Sequence, residues 1–193
     1  AIGDYNSTIR LYDKVTGGEV WTSTSFVPNQ KIEQIHFISE TELIAMSSHF
    51  IGIFSISQGM LLRKVPFGSA DIFDINLDYD REKNRVIVNY MKKKTIRQKV
   101  LFKKPYEEYH EFLETIDLKD FSSFSKNMGY TIEKRKKARK ALKVIHSSLI
   151  ILIDNEYLSF YDDTGEFVAL SSSYSLNMNS VDISNNKNYA VIG

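Results

Sequence analysis

The chain begins AIGDYNSTIRLYDKVTGGEVW and ends SVDISNNKNYAVIG, so its last four residues, Ala190-Val191-Ile192-Gly193, nearly repeat its first three, Ala1-Ile2-Gly3. This echo constrains the fold strongly, because a chain built from repeats shows it when it starts and stops at one phase of the unit. The same phase recurs inside. AIGDYNSTIRLYDKVTGGEVW and IAMSSHFIGIFSISQGMLLRK coincide when Ile9, Leu11 and Gly17 are set against Ile51, Ile53 and Gly59. Ile9 and Leu11 alternate with Arg10 and Tyr12, the period of two that a strand requires. A turn holding Gly17 or Gly59 then leads into a further strand, Glu19–Trp21 or Met60–Arg63.

A third copy is LIILIDNEYLSFYDDTGEFVAL, with turns at Asp154-Asn155 and Asp163-Thr164-Gly165. A weaker one is RVIVNYMKKKTIRQKVLF, in which Ile96, Gln98, Val100 and Phe102 share a face opposite Arg97 and Lys99. Each copy follows one more short strand: KIEQIHFIS, ADIFDINLD, KALKVIHSS or SVDISNN. Four antiparallel strands in about 40 to 45 residues is the length of one propeller blade. The expected fold is therefore all-β, a β-propeller of four-stranded antiparallel blades with about four blades in residues 1–193. The blades are read as 1–28, 29–66, 70–104, 142–175 and a partial 176–193. Two geometries fit the echo: a four-bladed ring closed by a shared blade, or a window cut from a ring of roughly six to eight. The window is preferred because larger rings are commoner, and Ala1 reads as a cut inside a longer polypeptide.

STIRLYDKVTGGEV resembles the end of a WD-repeat blade, with Tyr12-Asp13 where that family's Trp-Asp stands. Tyr161-Asp162 is similar, Phe54-Ser55 departs from the pattern, and the family's opening Gly-His pair is missing. Asp13, Thr16-Gly17 and Val20-Trp21 are also similar to blades of quinoprotein-like propellers. The WD-repeat resemblance implies a rigid, non-catalytic platform for assembling other proteins.

Between the third and fourth blades the period changes, and residues 105–141 are read as a helical basic insertion. In PYEEYHEFLETIDLKDF, Pro105 suits a first helical turn, while Tyr106, Tyr109, Phe112, Leu113 and Ile116 recur at helical spacing. Tyr106, Tyr109 and Leu113 form its candidate protein-docking face. YTIEKRKKARKALKVI follows, with seven Lys/Arg between Lys134 and Lys143 and Thr131 as a candidate cap for a second helix. Charge is lopsided: residues 92–143 hold 16 of the 25 Lys/Arg but 7 of the 24 Asp/Glu, hidden under a net charge of +1. Lys92, Lys93, Lys94, Arg97 and Lys99, with Lys134, Arg135, Lys136, Lys137, Arg139 and Lys140, are the candidate contacts for nucleic acid or an acidic partner. Lysines along one face neutralise phosphates and release counterions. The competing readings are a patch facing acidic protein and a solvated surface.

Other chemistry is harder to find. The chain has no cysteine, so neither a disulfide framework nor a thiolate metal site exists. No two of His36, His49, His110 and His146 stand at metal-ligand spacing, and the nine glycines are scattered rather than gathered in a phosphate loop. Asp78/Asp80 and Asp162/Asp163 read as turn formers. Asn6-Ser7-Thr8 is a formal glycosylation sequon of the kind that arises often by chance. No apolar run reaches the roughly 18 residues of a membrane span; the longest, LIILI at 149–153, is strand-sized. The expectation is an intracellular, non-enzymatic scaffold for other protein subunits, with no cofactor, metal or small-molecule substrate. The alternative is an RNA- or DNA-binding component, and a sugar- or quinone-related enzyme ranks last.

Overall fold

The computed structural model describes residues 1–3, 8–24, 30–69, 71–96, 105–131, 141–146, 149–153, 157–172, 181–183 and 190–192. Every helix or strand among them is a strand. The turn read at residues 154–155 lies outside the described residues. The chain divides into two compact units, 1–70 and 71–193.

In the first unit, β1 (Ile2–Gly3), β2 (Ile9–Tyr12) and β3 (Glu19–Ser23) form one antiparallel sheet. β4 (Gln34–Phe37), β5 (Glu42–Met46), β6 (Phe50–Ser55) and β7 (Leu61–Pro66) form a second, paired strictly in chain order. Ile9 and Leu11 are buried while Arg10 and Tyr12 are exposed, as their alternation requires. Ile9, Ile32, Leu43, Ala45 and Phe54 make the core, with Trp21 packed against it. The Trp21 indole N–H donates to the Ile56 carbonyl at 2.5 Å, so the polar end of this half-buried ring is satisfied.

In the second unit, β8 (Ile72–Asp80), β9 (Arg85–Ile96), β10 (Tyr106–Asp117) and β11 (Ser123–Thr131) form a four-stranded antiparallel sheet. β12 (Ala141–His146), β13 (Leu149–Ile153), β14 (Tyr157–Tyr161) and β15 (Phe167–Ser172) form the next, and β16 (Val181–Ile183) pairs with β17 (Ala190–Ile192). Ile87 and Leu113 meet Leu142, Ile150, Leu152 and Tyr161 in a shared core. Two polar ties join the same sheets. The Val144 amide donates to Asp78 Oδ2 at 2.8 Å, and Asp163 takes Lys83 at 2.5 Å and Arg85 at 3.6 Å.

One turn recurs between the last two strands of successive sheets. The amide of Asp13 bonds the Gly18 carbonyl, and that of Ser55 bonds the Met60 carbonyl. The Asp117 amide does the same to Ser122, and the Asp162 amide to Glu166. Residues 13, 117 and 162 are aspartates whose Oδ1 also accepts an amide two residues on, an Asx turn that closes the hairpin. Gly17, Gly59 and Gly165 take the left-handed conformation inside these turns (φ 69°, 64° and 78°). In the turn after β10, Phe121 takes it instead (φ 61°).

This turn corrects the reading of 105–141 as a helical insertion. Residues 106–117 are β10 and 123–131 are β11, the third and fourth strands of the sheet that the sequence suggested ends at residue 104. The segment is rich in Tyr, Phe, Thr and Ile, which fit a pleated surface, and twelve residues of β9 offer it a full-length partner. Pairing along that length outweighs a weak helical period. The second helix, proposed to begin at Thr131, is contradicted at its start by β11 and at its end by β12; residues 132–140 lie outside the described residues.

Candidate functional site

The lysine run at 92–94 lies within β9, opposite His110, Tyr109 and Glu108 of β10. Alternation sends Lys92 and Lys94 to one face and Lys93 to the other. Lys93 is engaged: its ammonium pairs with Glu107, which also accepts the Tyr109 hydroxyl at 2.5 Å. The Glu107 hydrogen bond holds the Lys93 pKa above its ordinary value and pushes the Tyr109 phenol up as well. Lys92 and Lys94 are exposed and have no ion-pair partner among the described residues.

β9 outruns β8. The register of β8 ends with Ile72 opposite Lys92, and the Lys93 amide donates to the Asp71 carbonyl at 2.9 Å. β10 continues to pair with β9 as far as Ile96. Among the described residues, the segment 94–96 is therefore paired along one edge and has no strand beside the other. A cleft of about 640 Å³ is lined by Asp71, by Lys92, Lys93, Lys94 and Thr95 of β9, by His110 and Phe112 of β10 and by Asn127 of β11.

The floor of the cleft is held firmly. Phe112 stacks on Tyr90 with ring centres 5.3 Å apart, and the Tyr90 hydroxyl donates to Glu114 Oε2 at 3.0 Å. Burial, chiefly, pushes the Tyr90 phenol up to about 12. His110 stands between two partners: Nδ1 faces the Asn127 amide nitrogen at 3.1 Å and Nε2 lies 3.0 Å from Glu108 Oε2. With that amide donating to Nδ1, the ring proton sits on Nε2 and is directed at the carboxylate. The arrangement presents two spare cations above an aromatic and amide floor. It suits an anionic group of a partner. Among the described residues no three His, Cys, Asp or Glu side chains are grouped to hold a metal ion.

The other candidate residues are dispersed. Arg97, Lys99, Lys134, Arg135, Lys136, Lys137, Arg139 and Lys140 lie outside the described residues. Tyr106, Tyr109 and Leu113 do not form one docking face, because in a strand Tyr106 points away from the side shared by the other two. Leu113 is a core residue at 3% exposure, and Tyr109 is buried edge-on against Phe73. Sequence reasoning missed His110, Phe112 and Asn127 as neighbours of the lysines, since only the β9–β10–β11 register brings them together.

Over 95% of its length the chain superposes on the WD40 domain of Neurospora crassa Pan2, with a TM-score of 0.59 and 13% sequence identity, spanning 49% of that chain. A Bacteroides caccae protein of unknown function superposes on 93% of it, with a TM-score of 0.58 and 10% identity, and is spanned over 59%. The chain has the β-propeller fold. The chain thus spans only about half to three-fifths of these two chains' length, and the identities are low enough that the likeness speaks to fold alone. No protein-family model and no curated protein matches its sequence.

Proposed function

We propose that this β-propeller is a non-enzymatic platform that holds other protein subunits in a multisubunit assembly. The observation that carries this reading is its likeness to a WD40 domain over nearly its whole length. Propeller blades satisfy most of their strand hydrogen bonds internally and leave loops, rims and short edges for contact. The exposed Lys92 and Lys94 are surface of that kind. Fold analogy supplies the class of function, and the site supplies its chemistry.

The test is purification of the full-length protein at about 50 mM and again at about 200 mM salt, the range over which phosphate contacts weaken steeply. Protein partners retained at both concentrations, without nucleic acid, are the expected result. Nucleic acid held at low salt and shed at high salt would instead favour the nucleoprotein alternative, with Lys92–Lys94, Arg97, Lys99 and Lys134–Lys140 as the first residues to reverse in charge.

A further inference from the structure

We infer that His110, Asn127 and the Gly129 amide form a pH-sensitive latch between β10 and β11. The inference goes beyond the platform reading and does not depend on it.

The latch is built at an irregular point of the sheet. Glu111 pairs with Gly129 and Phe112 with Asn127, so Met128 is the extra residue of a β-bulge on β11. Gly129 takes φ 135° there, a conformation open to glycine and rarely to other residues. Met128 packs against the core that Leu113 shares with Leu142, Ile150 and Leu152. Asn127 ties the bulge, its Oδ1 accepting the Gly129 amide at 2.9 Å.

That bond fixes the protons beyond it. A backbone amide can only donate, so the Asn127 oxygen faces Gly129 and its nitrogen faces His110 Nδ1, 3.1 Å away. The side-chain nitrogen also only donates, so Nδ1 must be bare. His110 is therefore the neutral ring protonated at Nε2, which is directed at Glu108 Oε2 3.0 Å away. The other Glu108 oxygen accepts the Tyr106 hydroxyl at 3.2 Å.

Histidine is the side chain that gains charge between about pH 8 and pH 5. A second proton on His110 has to go to Nδ1, where it meets the Asn127 amide nitrogen. Turning the Asn127 amide over gives its oxygen to the ring and takes it from Gly129. Two donors then compete for one oxygen, and the Gly129 N–H is released to water.

The surrounding charges do not remove this conflict. Lys92 stands opposite His110 on β9, Lys94 stands opposite Glu108, and Tyr130 is the partner of His110 on β11. Glu108, on the Nε2 side, favours the charged ring and Lys92 opposes it, and neither supplies an acceptor at Nδ1. Protonation also changes the cleft. Lys92 and Lys94 are matched by Asp71 and Glu108 while the ring is neutral, and the charged ring tips that balance to positive.

The experiment is nuclear magnetic resonance on the full-length protein, isotope-labelled at methionine carbonyls, glycine nitrogens and histidine ring nitrogens. Met128-Gly129 is the only Met-Gly pair in residues 1–193, which singles out its amide. At about pH 8 the His110 ring should show a bare Nδ1 and a protonated Nε2. Toward about pH 5 the Gly129 amide proton should move upfield with the same midpoint as the His110 ring. Asn127→Asp supplies a carboxylate that accepts from both donors. It should raise the ring's midpoint by about one pH unit or more and hold the Gly129 amide still through the transition. His110→Gln, with no proton to gain, should abolish the Gly129 movement. A neutral ring protonated at Nδ1, or a Gly129 amide that does not follow His110, would overturn the inference, and both are read on the unaltered protein. Equal movement of Gly129 in Asn127→Asp would overturn it too, since that is the field of a nearby charge and not a lost hydrogen bond.

Discussion

Gly59 shows how much a single residue can decide. It sits at φ 64°, and a Cβ there would lie 2.6 Å from the Trp21 ring. Gly17 occupies the equivalent turn at φ 69° with nothing within 4 Å of its missing side chain. Gly17→Ala should therefore cost only the left-handed backbone penalty, about 1–2 kcal/mol. Gly59→Ala should cost that and the displacement of Trp21 with its hydrogen bond to Ile56, about 2 kcal/mol or more beyond Gly17→Ala. Urea unfolding midpoints of the two variants compare them directly. Tyr90 gives a second prediction at this scale. Its phenol is raised to about 12, against about 10 in an unfolded chain, so the neutral form is favoured in the fold. The stabilisation is complete below about pH 10 and is lost as pH rises toward the folded value. Tyr90→Phe should remove that alkaline decline, seen as a flatter stability curve above about pH 10.

At the scale of the element, β10 is the instructive case. Its aromatic residues repeat at an interval that also suits a helix, and periodicity over one segment cannot choose between the two. The choice comes from β9, a twelve-residue partner with complete register, and from β11 on the other side. One local signal was available: Asp117 ends the strand as Asp13 and Asp162 end theirs, and closes the same kind of turn. It was obscured because Phe121, and not glycine, takes the left-handed place. The strand assignment predicts that Leu113→Ala costs about 2–5 kcal/mol, since it empties a site shared with Ile87 and Leu152. Phe124→Ser, on β11 at 60% exposure, should stay within about 0.5 kcal/mol.

At the scale of the whole molecule, turn carboxylates contribute to how stability falls in acid. Asp13 is held below its usual range mainly by the Thr16 amide, and Asp162 mainly by the Thr164 hydroxyl. Asp163 is held low mainly by its hydrogen bond to Lys83, and Asp120 by the Ser122 amide. Each folded pKa lies below the unfolded value of about 3.9, so their contribution is present above roughly pH 4 and is lost as pH falls through the folded pKa. Thermal unfolding followed from pH 7 downward should show little change until about pH 4 and then a fall. Asp163→Asn should lower stability at neutral pH by up to about 1 kcal/mol, the worth of a partly exposed ion pair, and make the acid fall shallower.

The sequence by itself determined the repeat, the strand period and the recurring turn, because these depend on neighbours a few residues apart: Ile9 with Leu11, Asp13 with Thr16, Gly59 in its hairpin. It also showed where positive charge is concentrated. Only the tertiary structure decided that 106–131 completes a sheet, that Leu113 belongs to the core, and that Lys92 and Lys94 share a cleft with His110 and Asn127. Those outcomes depend on which strand lies beside which. Register is set by pairing between residues far apart in the chain, and a shift of one position would move each lysine to the opposite face.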